Sequence, residues 1–352
     1  MRYSEEEAVL VTGGAGFLGS YLCDRLVESG RRVVCLDNLS TGSTENVRHL
    51  LDHPRFDLLL TDVTEVWEVE TPLTTVFHLA SAASPPDYMR MPVQTLEAGS
   101  LGTRNALHCA SEHGARLVLV STSEVYGDPR EHPQRETYWG NVNPIGPRSV
   151  YDEAKRYAEA LVMAHHRGRG ADVGIARVFN SYGPRMRPDD GRMIPTFISQ
   201  ALAGRPITVA GDGHQTRSIC YVTDTVEGLL RLGDHTVTGP INIGSQEEVS
   251  VLNLARFVRD FSGSRSEISF VERPEDDPHY RRPDITKAGR VLGWSPSVHL
   301  DEGLRRTLAY FMNRHTALAP EPGEERSGLF ERGDEADERH GTVQGLGRGD
   351  HT

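Results

Sequence analysis

The sequence predicts an α/β chain built on a doubly wound parallel sheet, with a smaller C-terminal region interleaved with it. Three observations carry this. Short, nearly continuous apolar runs alternate with helical patterns along the first half. The runs lack polar alternation, as expected of parallel strands covered on both faces. The first run passes directly into a glycine-rich turn that opens a helix, which makes the sheet Rossmann-type.

Taken in order, Ala8–Thr12 (AVLVT) is the first expected strand and Phe17–Ser29 the first helix. Strands are expected at Arg32–Asp37, Asp57–Val63, Thr75–Ala80 and Arg116–Thr122, with a helix over Thr95–Glu112. The helix Tyr151–Arg167 then leads into a sixth strand, Asp172–Asn180. After Tyr182 the pattern becomes irregular and rich in Pro and Gly. Strands are expected there at Ile207–Ala210, Ile241–Ile243 and Ile268–Val271, and helices at Val251–Phe261 and Asp301–Phe311. This organises the chain as a nucleotide-binding domain (1–180) whose sheet is completed by later segments, and an interleaved substrate-binding region (181–315). Residues 319–352 are acidic and glycine-rich with few apolar residues, a composition expected to stay disordered.

Composition narrows the function. The chain has 352 residues and a net charge of -12, which argues against a nucleic-acid coat. No apolar run approaches the roughly 18 residues a membrane span needs. The N-terminus is acidic and enters a strand at once, unlike a secretory signal. Four cysteines stand far apart in apolar contexts, as buried thiols of a cytoplasmic protein do. Of 38 basic residues only Lys155 and Lys287 are lysines. Such a skew leaves arginine wherever either cation is tolerated, so a surviving lysine marks a place where arginine fails. Lys287 is expected on a helix surface.

The glycines of Gly13-Gly14-Ala15-Gly16-Phe17-Leu18-Gly19 allow a tight turn and a close pyrophosphate approach at a helix N-terminus. Asp37, ending the second strand, suits the ribose hydroxyls of NAD and would repel the 2′-phosphate of NADP. Asp62 and Val63 fall where the adenine would lie, unless Asp62 is a helix N-cap. Tyr151 and Lys155 lie one helical turn apart on one face. A lysine there can hold the nicotinamide ribose and lower the phenol's pKa, so that Tyr151 serves as a base.

Together with the stretches ASPPDY (Ala83–Tyr88), STSEVYGDP (Ser121–Pro129), YWGNVNPIGPRSVY (Tyr138–Tyr151), NSYGPRMRPDDGR (Asn180–Arg192), QTR (Gln215–Arg217) and DDPHYRRPDI (Asp276–Ile285), these residues resemble the extended short-chain dehydrogenase/reductases. Within them the resemblance is to the UDP-glucuronic acid decarboxylases, over about residues 8 to 312. It implies that the sugar C4 hydroxyl of UDP-glucuronic acid is oxidised with NAD and that the β-carboxylate leaves as CO2. Return of the hydride to C4 then gives UDP-xylose. No metal is implied. Thr122 would position the C4 hydroxyl, Tyr151 act as base, and Ser123 and Glu124 lie near C5 and the carboxylate. Glu124 would destabilise that carboxylate or be protonated itself. Arg217 and Arg281 would meet the UDP-sugar, with Arg282 in reserve; Asn180 and Tyr88 would also face the substrate. Asn38, Leu79, Ala80 and Ser81 would join the cofactor contacts, and Arg187 and Arg192 would approach its phosphates.

Two positions depart from the resemblance. Glu97 stands where a substrate-binding lysine is usual; it either weakens substrate binding or alters the fate of the intermediate, or turns outward at the start of its helix, where an acid suits the dipole. Ser81-Ala82 replaces a usual Ser-Pro, which would loosen the nicotinamide side and let some UDP-4-keto-pentose and NADH escape. The competing readings are a UDP-sugar 4-epimerase, a 4,6-dehydratase and a silent NAD-binding scaffold. Related dehydratases carry an Asp where Ser123 stands, which argues against dehydration. The resemblance also implies a homodimer in which Thr95–Glu112 and Tyr151–Arg167 pair with their twins as four helices.

Overall fold

A computed structural model describes residues 7–274 and 276–318. The expected disordered segment 319–352 lies outside the described residues. The central sheet has seven parallel strands. Six are β1 (Ala8–Thr12), β2 (Arg32–Asp37), β3 (Phe56–Leu60), β4 (Leu73–His78), β5 (Arg116–Thr122) and β6 (Val173–Val178). The seventh, Pro240–Ile243, comes from the second half and pairs with β6. The spatial order is Pro240–Ile243, β6, β5, β4, β1, β2, β3. The chain therefore winds outward in both directions from the β1–β4 junction, and a crevice opens at the strands' carboxyl ends.

Alternate residues of each strand enter different cores. Val9 and Val11 join Leu22 and Leu26 of helix α1 (Phe17–Glu28) on one face. Ala8 and Leu10 join the cluster on the other. Helices over Pro85–Arg90 (α2) and Pro92–Glu97 (α3) follow β4. A wider π-helical turn over Ala98–Gly102 joins α3 to α4 (Thr103–Glu112). The helix expected from Thr95 thus begins earlier and widens midway. Glu97 ends α3 instead of starting a helix, so it gains nothing from an N-terminal dipole.

Helix α5 (Ser149–Arg169) lies beside α4, with Ala158 and Val162 in the same core as Leu107 and Ala110. The second half contains α6 (Met193–Leu202), α7 (Val222–Gly233), α8 (Val251–Phe261), α9 (Thr286–Leu292) and α10 (Leu300–Leu318). Short strand pairs link its segments, including Ile207–Ala210 with Ile268–Val271. Lys287 is not a free surface residue: half-buried on α9, it donates to the Pro240 carbonyl at 2.7 Å and ties α9 to the edge of the sheet. Among the described residues no helix is long and apolar enough to cross a membrane.

Candidate active site

The carboxyl ends of β1, β2, β4 and β5 open into a cavity of about 850 Å³ that runs on beneath the second half. Its first wall is the glycine turn. Gly13 has φ +72°, and a Cβ there would meet the Ala80 backbone at 2.9 Å. A Cβ on Gly19 would stand 2.1 Å from the Gly13 carbonyl oxygen, so only glycine lets α1 start this close to β1. No side chain caps α1, and Gly13, Gly16, Phe17, Leu18 and Gly19 all line the cavity. The unpaired first-turn N–H groups thus form an anion-binding floor.

Asp37 closes this end. Its carboxylate accepts from the Ala15 N–H at 2.9 Å and the Leu39 N–H at 2.8 Å, and burial raises its pKa. Asn38 donates to Asp62 at 2.6 Å. Asp62 caps no helix; it accepts from the Thr64 N–H and hydroxyl in a turn beyond β3, which ends at Leu60 and not at Val63. Val63, Leu79, Ala80 and Ser81 complete the lining, and the buried Ser81 hydroxyl has no partner. Arg187 pairs with Asp87 at 2.6 Å and Arg192 with Asp190 at 2.7 Å, and both line the cavity. A floor of free N–H groups, a carboxylate at one end and two arginines opposite fit a dinucleotide.

The reactive end lies where β5 meets α5. Thr122 and Tyr151 line it, and Tyr151 stacks on Tyr88 with centroids 5.4 Å apart and planes 3° from parallel. Lys155 is 4% exposed, and its ammonium donates to the Val120 carbonyl at 2.9 Å. Burial lowers Lys155 to about 8. The lowered phenol expected of Tyr151 is not found. Burial and the Glu124 charge push it up, against the Thr122 hydrogen bond and Arg192, while the ammonium of Lys155 turns to a carbonyl. Behind them His78 is buried between the Thr12 and Thr103 hydroxyls, and burial and Lys155 lower it to about 3.

Glu124 is neither protonated nor free. Arg281 grips it through two hydrogen bonds, one at 2.9 Å, and Arg148 adds a third at 3.0 Å. Burial alone would raise its pKa; the two guanidinium charges outweigh that and hold it at about 2. Arg217 lies close by, held by Asp277 at 2.8 Å. Asn180 and Glu97 line the same cavity. Two expected residues do not reach it. Ser123 is 2% exposed and outside the lining, and Arg282 turns away to Glu248 at 3.3 Å. Arg148 escaped the sequence reading: one arginine among 36, its partners at 124 and 277 show in no local spacing.

A Rossmann-type sheet with a glycine-floored cavity and a Thr–Tyr–Lys cluster at its reactive end defines a class of dinucleotide-dependent enzymes. The chain belongs to the NAD dependent epimerase/dehydratase family, which matches residues 9–244. UDP-glucuronic acid decarboxylase 1 of Xenopus tropicalis is 49% identical over 87% of this chain and 72% of its own length. UDP-glucuronic acid decarboxylase 6 of Arabidopsis thaliana is 52% identical over 84% of this chain and 86% of its own. Among solved structures, a dTDP-glucose 4,6-dehydratase from Streptomyces venezuelae with NAD bound has a TM-score of 0.80 at 27% identity, covering 88% of this chain and 98% of that one. UDP-glucose 4-epimerase from Thermotoga maritima has a TM-score of 0.79 at 28% identity, covering 88% of this chain and 99% of its own.

Proposed function

We propose that this chain converts UDP-glucuronic acid to UDP-xylose and CO2 through a UDP-4-keto intermediate, with NAD as cofactor. The observation that carries the reading is Glu124 clamped between Arg148 and Arg281 at the Tyr151 end of the cavity. A 4,6-dehydratase needs an acid to protonate a leaving hydroxyl. Glu124, held at about 2, is the wrong species, and Ser123 is neither acidic nor exposed to the cavity. Arg148, Arg217 and Arg281 against Glu124 and Asp277 leave one net positive charge, suited to a substrate carboxylate. A 4-epimerase acting on an uncharged sugar has no use for that charge. The two decarboxylases at about half identity agree with this choice.

When bound, NAD supplies a hydride acceptor for C4 and later returns the hydride. Thr122 orients the C4 hydroxyl and Tyr151 removes its proton. Lys155 would hold the nicotinamide ribose, Asp37 the adenosine ribose, and the α1 N-terminus, Arg187 and Arg192 the pyrophosphate. Once C4 is a ketone, the C6 carboxylate is β to it and CO2 leaves to give an enolate. Arg148 and Arg281 bind the carboxylate, and Glu124 offsets part of their charge, so the ground state is not held more tightly than the transition state. Arg217, Asn180 and Tyr88 bind the rest of the UDP-sugar. Glu97 and Ser81-Ala82 favour partial escape of UDP-4-keto-pentose with NADH.

The same reading makes the protein a cytoplasmic homodimer. Its four cysteines are buried free thiols. Residues 181–315 form the substrate-covering region over the cofactor domain 1–180. The test is to incubate the protein with NAD and UDP-glucuronic acid and follow CO2, NADH and sugars by NMR, with UDP-glucose and UDP-galacturonic acid as controls. The expected result is CO2 and UDP-xylose, with UDP-4-keto-pentose and NADH rising together. UDP-glucose converted to an epimer or a dehydrated ketone, with no CO2 from UDP-glucuronic acid, would overturn the reading.

A further inference from the structure

Tyr151 and Lys155 stand on α5, whereas Thr122 ends β5, so the reactive geometry depends on how α5 is held against β5. Two successive residues of β5 hold it. The Val120 carbonyl accepts from Lys155 at 2.9 Å, and the Ser121 hydroxyl donates to Glu159, one turn further along α5, at 2.6 Å. Arg177 of β6 grips the same carboxylate: Nε donates to Oε1 at 2.9 Å and Nη2 to Oε2 at 2.7 Å. Its other terminal nitrogen, Nη1, donates to the Tyr126 hydroxyl at 3.0 Å and the Glu136 carbonyl at 3.1 Å. Tyr126 closes the turn Ser123–Tyr126 that follows Thr122, and its hydroxyl donates to Asn242 Oδ1 on the seventh strand at 2.8 Å. One ion pair therefore ties the segment 121–126 at both ends, with Thr122 and Glu124 between the ties. Neither Glu159 nor Arg177 lines the cavity, and their side chains are 12% and 13% exposed. A pair this enclosed adds little net stability, because desolvation offsets most of its attraction.

Resting on the oxidation at C4 in the decarboxylase reading, we propose that Glu159 and Arg177 are positioning residues that set Thr122 against Tyr151 and Lys155 for hydride transfer. They touch neither substrate nor cofactor. Glu159 acts through Ser121 on the end of β5, and so fixes the register of α5 with Tyr151 and Lys155 on it. Arg177 acts through Glu159 and through Tyr126, which holds the far end of the turn that carries Glu124. Hydride transfer is sensitive to such a device: a displacement of about 1 Å between the reacting groups can cost on the order of 10²-fold in rate. Arg217, held by Asp277, belongs to a separate set of contacts, so affinity for the UDP-sugar does not run through this pair.

The test is kcat and KM of the full chain with NAD and UDP-glucuronic acid carrying hydrogen or deuterium at C4. The wild type is compared with Ser121→Ala, Arg177→Lys and the double variant Glu159→Met with Arg177→Met. The double variant exchanges the pair for apolar side chains, which keeps the interior filled and the melting temperature near that of the wild type. It should nevertheless lose about 10²-fold in kcat with KM little changed. Its deuterium isotope effect on kcat should be at least as large as the wild type's, because hydride transfer is the step that slows. Ser121→Ala, which cuts only the tie to β5, should lose about tenfold in the same way. Arg177→Lys keeps a charge on Glu159 without the fork and should recover part of the double variant's loss. Melting curves verify folding; if the double variant does not fold, Ser121→Ala and Arg177→Lys decide alone. With an active wild type, an unchanged kcat, a loss carried by KM, or a slow variant without an isotope effect overturns this proposal only. A wild type that releases no CO2 overturns the functional reading itself.

Discussion

Lys155 is one of two lysines among 38 basic residues, and its surroundings exclude arginine. The site is nearly closed, and the ammonium meets a single carbonyl at 2.9 Å. A planar guanidinium would need five donors satisfied there. Lys155→Arg should therefore lower kcat/KM by at least ~10²-fold and lower the melting temperature. Lys155 also ties stability to pH. Its folded pKa of about 8 lies below the ordinary 10.5, so between those values the unfolded chain binds more protons and stability rises with pH. Denaturant titrations should show that rise shrinking in Lys155→Met; an identical pH slope in both proteins would refute it. Glu97 is a second residue-scale test. It is exposed among the residues lining the cavity, where the proposed anionic sugar would bind. Reversing its charge with Glu97→Lys should lower KM for UDP-glucuronic acid roughly fivefold, from about 1 kcal/mol of charge interaction. Released NADH should fall with it. The Tyr151–Lys155 pair stood out by its spacing, while Thr122 and Glu124 came only with the family resemblance; all four line one cavity. The state of Glu124 was not legible, because Arg148 and Arg281 reach it only through the fold.

Among the elements, β1, β2 and β5 match their sequence expectation end for end, because each holds an unbroken run of four apolar residues bounded by polar ones. Helix α7 went unread. Its glycines look like breakers, yet each admits a neighbour: Gly228 lies against Ile243 and Trp294, and Gly233 against Phe77. Helix α6 was hidden by Pro195 in its first turn, where proline costs no hydrogen bond. The start of α1 yields the prediction at this scale. Gly19→Ala would drive a methyl into the Gly13 carbonyl. The helix must back away from β1, at a cost of about 1–3 kcal/mol. NAD affinity should fall more than stability does, because the displaced N–H groups are those that face the pyrophosphate. Calorimetric titration with NAD checks this, and unchanged affinity would show that α1 does not hold the cofactor.

At the scale of the molecule, the reactive residues and an uncovered apolar flank share the same helices. Val93 (58% exposed) and Leu96 (42%) lie on α3, Leu101 (36%) on the π turn and Tyr157 (52%) on α5, while α5 also carries Tyr151 and Lys155 and α3 ends at Glu97. Large apolar side chains exposed on adjoining helices fit the surface that the proposed dimer requires. In a two-fold dimer each substitution is felt twice, once on either side of the axis. Leu96→Arg with Tyr157→Glu should therefore turn a dimer into a monomer, read by light scattering on a sizing column. Activity per chain should fall with it, because in the proposed dimer a partner would fix the spacing of α3 and α5 around the cavity. The wild type should lose the same specific activity on dilution and regain it on concentration. A wild type that elutes as a monomer, with activity independent of concentration, would remove the dimer and leave this flank without a partner.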